Sequence, residues 1–193
     1  MWNDSVRAFH DDDASTVRAL WKKSFGASDC TVNTWIDAVC DDRYAATGWV
    51  AVAHDAVVGF AITDVGDRAH VRSYLGIDAL NIDALNRSLD LPSPSGILHM
   101  CVVDAAWRSQ GIGSALYARS LSDFHARGIA SVVGVSWHRD GVPDSRALFE
   151  AHGFSCVAIV HQYYRRVSER LHCPDCSGFC TCTASIYHRR GLR

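Results

Sequence analysis

Between two apolar stretches the chain carries Arg108-Ser109-Gln110-Gly111-Ile112-Gly113-Ser114, a polar heptapeptide with two glycines. The run before it, Ile97 to Val103, reads as a buried strand. After it, Leu116, Tyr117, Leu121 and Phe124 recur at helical spacing. A turn in this position sets a helix N-terminus against a loop of small residues. The first N–H groups of a helix lack an intrahelical acceptor and carry partial positive charge. Glycine lets a ligand approach that backbone closely, so the segment suits an anion, and a pyrophosphate would fit. It is neither a Gly-x-Gly-x-x-Gly dinucleotide fingerprint nor a phosphate loop ending in Gly-Lys-Ser/Thr. Taken alone, the same residues serve equally well as a tight turn joining strand to helix.

The other chemistry-bearing segment is Cys173, Cys176, Cys180 and Cys182, spaced C-x2-C-x3-C-x-C within ten residues. Four thiolates match a tetrahedral Zn2+, and Pro174 and Gly178 supply turns that let a short loop wrap an ion. The two pairs are closer than in ordinary zinc ribbons. An iron–sulfur centre, a redox pair or unoccupied thiols are the alternatives, and His172 or His188 can replace one thiolate. A closed site of four cysteines leaves no open coordination position, so its expected role is structural. The remaining cysteines, Cys30, Cys40, Cys101 and Cys156, stand among apolar residues and read as small buried hydrophobes.

The elements that must position these residues follow from periodicity. Val6 to Phe9 is extended. Asp13 is placed to cap a helix through Val17, Leu20, Trp21 and Phe25 that stops at Gly26. Thr31 is placed to cap a second helix with Val32, Trp35, Ile36 and Val39 on its buried face. Gly48–Ala53 and Val57–Thr63 read as strands joined by a hairpin at His54-Asp55-Ala56. Residues 66–96, with a helix over Ile77–Leu89 and a loop at Pro92–Gly96, read as an insertion too short to bury its own core. Then come the strand Ile97–Val103, the helix ending at Gly128, a strand Ile129–Trp137, a helix Ser145–His152 stopped by Gly153, and a strand Phe154–Tyr163. The strand–helix–strand unit over 97–137 predicts a right-handed parallel crossover. The expected architecture is three-layer α/β on a mixed sheet. Residues 1–167 form one domain, and 168–193 a Cys-rich tail in which Thr183–Tyr187 is strand-like.

Composition narrows the function. The chain has 193 residues, 48% hydrophobic and 21% charged, with a net charge of −2. A full core and near balance of charge argue against an intrinsically disordered chain and against a nucleic-acid binder. No apolar run approaches the ~18 residues that span a bilayer. The start has neither the basic nor the apolar region of a signal peptide. The expectation is a cytoplasmic protein without membrane or nucleic-acid partners, with a homodimer left open.

The stretch from Leu98 to Leu116 resembles the acetyl-coenzyme A loop of the GNAT N-acetyltransferases, whose pattern is Gln/Arg-x-x-Gly-x-Gly/Ala after a β-strand. Ala147 to Phe154 is similar to their helix ending in Gly-Phe, and the element order over about residues 5–165 fits the same fold. The resemblance implies a GNAT-like three-layer fold, its mixed and mostly antiparallel sheet carrying a splayed parallel pair. It implies that backbone N–H groups of Gln110, Gly111, Ile112, Gly113 and Ser114 hold the coenzyme A pyrophosphate, in the loop that Ser109 opens. Arg108 either adds charge near the phosphates or is a solvated surface arginine. Backbone at Cys101, Val102 and Val103 is implied to pair with the acetyl carbonyl and the pantetheine arm.

An amine acceptor must lose a proton before it attacks the thioester, and histidine has a suitable proton affinity. His99 lies on the implied cofactor strand with the parity of Cys101 and Val103. It matches the second histidine of a His-x-His segment in the arylalkylamine acetyltransferases, while Ile97 replaces the first. His99 is thus the implied base, or else a core histidine. Where many relatives place a tyrosine to protonate the leaving thiolate, this chain has Phe149, which has no proton to give. Tyr117, Tyr163, Tyr164 and His152 are the replacements to be weighed. Tyr163-Tyr164 also resembles a feature of ribosomal-protein N-terminal acetyltransferases. The implied activity is acetyl transfer from acetyl-coenzyme A to a small amine, a protein N-terminus or a lysine. The alternative is an inactive acyl-coenzyme A-binding module with a metal-stabilised interaction tail.

Overall fold

A computed structural model describes residues 2–26, 29–41, 45–80, 89, 91–139, 141, 144–167, 173, 175–176 and 180–192. Its seven strands are β1 (Val6–Ala8), β2 (Thr47–Ala53), β3 (Ala56–Gly66), β4 (Ser95–Val103), β5 (Ser131–His138), β6 (Ser155–Val160) and β7 (Thr183–Arg190). Among the described residues the α-helices are α1 (Ala14–Phe25), α2 (Asp29–Cys40), α3 (Arg68–Tyr74), α4 (Ile77–Leu80), α5 (Ile112–Ala126), α6 (Arg146–Ala151) and α7 (Tyr163–Val167). The class is α/β, with a mixed sheet of strand order β1-β2-β3-β4-β5-β7-β6. Most of its pairs are antiparallel, and β4 and β5 are the parallel pair. Two compact units divide the chain: Met1–Asp64 with Leu98–Arg127, and Val65–Ile97 with Gly128–Arg193.

In the first unit β2 and β3 form the expected hairpin, closed by Ala53 opposite Ala56. His54 and Asp55 between them take φ of 47° and 62°, the twist that a two-residue turn needs to match right-handed strands. Helices cover both faces of these strands. On one face Val17, Leu20, Trp21 and Ile36 of α1 and α2 pack with Val50, Phe60, Ile62 and Val102. On the other, Ile112 and Leu116 of α5 pack with Trp49, Ala51, Val58 and Ala61. Full burial of such side chains is worth roughly 1.5–3 kcal/mol each, which makes these two layers the main support of the 108–114 loop. Gly59 permits the close approach. A Cβ there would lie 2.9 Å from the Val102 carbonyl and 3.4 Å from Ile112 Cγ2.

Two expectations about caps are corrected. Asp13 stands at the N-cap of α1, but its carboxylate bonds no amide of that helix. It accepts from the His10 N–H at 2.9 Å and from both terminal nitrogens of Arg7 at 2.7 and 2.8 Å. Thr31 is not a cap, because α2 begins at Asp29. The side chains of Thr31 and Val32 lie outside the described residues, whereas Ile36 is buried as expected.

In the second unit β7 lies between β5 and β6 and pairs antiparallel with both. Val133, Val160, Ala184 and Ile186 share one core with Val71 of α3, Leu75 at its C-cap, and Ile77 and Leu80 of α4. Helix α4 covers the first residues of the expected Ile77–Leu89 helix, and Leu85 lies outside the described residues. The strand expected over Phe154–Tyr163 ends at Val160. Gln162 takes a φ of 54°, which an extended strand does not accommodate, and Tyr163 opens α7 instead.

Candidate functional site

The loop expected to hold an anion is fixed at both ends. Asp104 caps a short 3-10 turn over Ala105–Trp107, accepting from the Ala106 N–H at 2.9 Å. Lys23 reaches the other oxygen at 2.8 Å. These bonds, Lys23 first, hold the Asp104 carboxyl below its ordinary range. Trp107 packs edge-on against Trp2, with ring centroids 6.0 Å apart. Arg108 folds back, and its Nε donates to the Val103 carbonyl at 3.1 Å. The arginine therefore closes the loop onto the end of β4 and is not a freely solvated side chain.

From there Ser109 takes a φ of 60° and Gly111 a φ of 87°, so the chain doubles over the start of α5. Gly111 is the N-cap, and its carbonyl accepts the Ala115 N–H at 3.0 Å. Ile112, Gly113 and Ser114 are consequently the first three helical residues, whose amides have no carbonyl one turn earlier within the helix. Ser109, Gln110, Gly111 and Ser114 are exposed, while Ile112 is buried and anchors the turn. This is a helix N-terminus open to solvent above a rigid apolar base.

Strand β4 meets the loop at Val103. The Asp104 N–H donates to the Val58 carbonyl at 2.9 Å, and the Val102 carbonyl faces Gly59. Backbone groups alternate along a strand, so Cys101 and Val103 turn theirs away from β3. Burial pushes the Cys101 thiol up to about 12, so it stays protonated at neutral pH.

His99 and Cys101 do not share one environment, contrary to the expected parity. Cys101 and Val103 pack with Ile112 and Leu116. His99 lies against Trp35, centroids 3.6 Å apart at 46°, and Trp35 belongs to the core of α1 and α2. The His99 Nδ1 is buried. Trp35 is the partner that sequence reasoning missed. Its helical spacing marked it as core, and nothing local tied it to a residue more than sixty positions away.

Among the tyrosines weighed as proton donors, Tyr117 is buried on α5. Tyr163 is buried and donates its hydroxyl to the Leu75 carbonyl at 3.2 Å. Burial raises the hydroxyls of Tyr163 and Tyr164 above the ordinary range. Burial foremost, and Arg189 next, lowers the His152 imidazole. Phe149 lies stacked on Tyr187, with centroids 4.7 Å apart and planes within 6°. The Tyr187 hydroxyl donates to Glu150 at 3.0 Å. The strand-like run ending at Tyr187 was legible, but its stacking on Phe149 was not, because it depends on β7 entering between β5 and β6.

The four tail cysteines come together. Their sulfurs all lie within 4.8 Å of one another, with Cys173 to Cys182 at 3.7 Å and Cys176 to Cys182 at 3.8 Å. A tetrahedral zinc with Zn–S near 2.3 Å requires S···S edges of about 3.8 Å, so the donor set fits the ion. Arg139 pairs with Asp175 at 2.9 Å through Nη2, and also through Nε. It lies over the Trp137 ring, 5.0 Å from the centroid. A cation beside four thiolates offsets the net negative charge that remains after one divalent ion binds. His188, offered as a substitute ligand, instead sits with its Nε2 2.9 Å from the Ser131 hydroxyl. His172, Pro174 and Gly178 lie outside the described residues.

Comparison with known proteins identifies the class. The profile of the Acetyltransferase (GNAT) family matches residues 14–154, and the chain belongs to that family. No curated protein matches the sequence. Among solved structures, the chain is similar to Naa20 of Chaetomium thermophilum in complex with a bisubstrate analogue: TM-score 0.66, 15% identity, covering 97% of this chain and 87% of that one. It is similar to Ard1 from Thermoplasma volcanium: TM-score 0.63, 18% identity, 97% of each chain. The ribosomal-protein-S18-alanine N-acetyltransferase of Escherichia coli gives TM-score 0.62 at 18% identity, over 96% of this chain and 92% of that one. At such identities the likeness establishes the fold. Among the described residues no helix is long and apolar enough to cross a membrane.

Proposed function

We propose that this protein transfers an acetyl group from acetyl-coenzyme A to a primary amine, by direct attack within a complex of both substrates. The observation that supports this best is the exposed N-terminus of α5 under a loop held by Arg108, Ser109 and Gly111. The donor's diphosphate would accept from the amides of Gln110, Gly111, Ile112, Gly113 and Ser114, where backbone donors and the helix dipole act together. Backbone groups of Cys101, together with the Val103 N–H, would take the pantetheine arm and the acetyl carbonyl. The Val103 carbonyl is already engaged by Arg108, and Val102 enters through its place in the strand.

His99 takes the proton from the acceptor ammonium. The freed nitrogen lone pair attacks the thioester carbon, the C–N bond forms and the C–S bond breaks, and the nitrogen gives up its second proton to water as the neutral amide forms. Coenzyme A leaves as a thiolate that receives a proton from water, since Phe149 has none to donate. A cysteine relay is disfavoured by the neutral state of Cys101. The acceptor is a small amine, a protein N-terminus or a lysine, and likeness to the ribosomal-protein-S18-alanine N-acetyltransferase is compatible with a protein acceptor. The tail cysteines hold a structural Zn2+, which supplies a cross-link and no reaction step. Outside the tail, Cys40, Cys101 and Cys156 are free thiols, and a reducing, cytoplasmic setting would keep them so.

Calorimetry with acetyl-coenzyme A, followed by an amine and peptide panel read by thiol release, tests the proposal. Saturable heat with turnover is the expected result. Binding without turnover on any acceptor supports the regulatory-module reading, and absence of binding overturns both.

A further inference from the structure

We infer that the four-cysteine centre is a clamp that holds β7 between β5 and β6, so that metal loading and insertion of this strand are one linked equilibrium. This rests on the zinc reading above and adds to it what the metal holds in place.

The cluster is tied to β5, to α7 and to the point where the chain enters β7. Cys182 immediately precedes Thr183, the first residue of β7. Its carbonyl accepts the Tyr163 N–H at 3.2 Å, joining it to the start of α7. At the same end of the ladder His138 stands opposite Thr183 and Trp137 opposite Ala184. Arg139, the next residue, grips Asp175 between Cys173 and Cys176. Four sulfurs drawn onto one ion therefore tie together the end of β5, the start of α7 and the point where the chain enters β7.

Insertion of β7 carries much of this unit's organisation. Ala184 and Ile186 enter the core with Val133, Val160 and Leu75, while Tyr187 meets Phe149 on the opposite face. Yet the strand is joined to the preceding α7 only through residues 168–182, and closing a loop of that kind carries an entropic cost. A multidentate metal cross-link inside the loop removes most of that freedom before the strand docks. Each thiol gives its proton to solvent as its Zn–S bond forms, and no electron transfer is involved.

The test uses the full chain as purified. Elemental analysis and zinc release to a chromogenic chelator give the metal content. Hydrogen exchange is followed over residues 183–190, with β2 and β3 as internal reference, before chelation, after it, and after Zn2+ is restored. We expect one zinc per chain, and a loss of protection in 183–190 of at least about tenfold on chelation while β2 and β3 keep theirs. Readdition of Zn2+ should reverse the change, and Cys180→Ser should resemble the chelated protein. A chain that neither holds nor takes up zinc overturns the zinc reading itself. Zinc that leaves without altering protection of 183–190, or with equal loss in β2 and β3, overturns the clamp and leaves the metal site standing.

Discussion

The His99 imidazole rests on the Trp35 indole, with ring centroids 3.6 Å apart. A residue of β4 is thereby held by α2, with its Nδ1 buried. His99→Ala should lower kcat by about 100-fold with little change in acetyl-coenzyme A affinity, because general bases contribute roughly 10²–10⁴. Steady-state kinetics beside calorimetry separates the two quantities. Unaltered turnover would discard the assignment.

Gly111 makes an opposite prediction. Its φ of 87° is strained for any L residue, while a Cβ there meets nothing nearer than Trp2 at 3.9 Å. Gly111→Ala therefore perturbs the turn and not the packing, at a cost of about 1–2 kcal/mol. If the turn must keep its shape to present the amides, Kd for acetyl-coenzyme A rises by about tenfold while thermal stability falls modestly. An unchanged Kd would place the diphosphate elsewhere.

The state of Cys101 bears on the order of events. A thiol pushed up to about 12 is almost entirely protonated at pH 7, so direct transfer without an acetyl-enzyme is the expected outcome. Initial-rate plots against both substrates should intersect, and intact mass after incubation with acetyl-coenzyme A alone should show no added acetyl group. Parallel lines with an acetylated Cys101 would refute direct transfer.

A pH dependence of stability follows from Asp13. Arg7's bonds, opposed by burial and helped by the His10 N–H, keep this carboxyl below its ordinary range. A depressed folded value means that the contribution is complete above the unfolded carboxylate range, near pH 4, and is lost as pH falls through the folded value. Arg7 is partly exposed, at 41%, so screening keeps the effect small. The Tm gap between the wild type and Asp13→Asn should be widest near pH 6 and shrink towards pH 3. A gap that widens on acidification would contradict this sign.

Much of the first unit was legible because its signals are local. The His54-Asp55 turn, the apolar spacing of α5 and the glycine of the loop each report on residues within a few positions. The missed features are relations between distant segments. Trp35 on His99, Tyr187 on Phe149 and Arg139 on Asp175 depend on which strands become neighbours, and periodicity is silent about that. Asp13 shows a subtler limit. Its position at the helix start was readable, but competition from Arg7 for its oxygens was not. The cysteine cluster was legible as a ligand set, whereas the entry of the following strand between two earlier ones was not.

That entry shapes how the chain reaches its final form. β5 and β6 are synthesised first and end up separated by a strand made later, so any early pairing between them must be undone. Ser131 finds its partner in Arg190, a pairing so remote along the chain that local contacts give no head start. Assembly of this half is therefore expected to be the slow phase of refolding, and the stage at which unpaired strand edges are most open to misassociation.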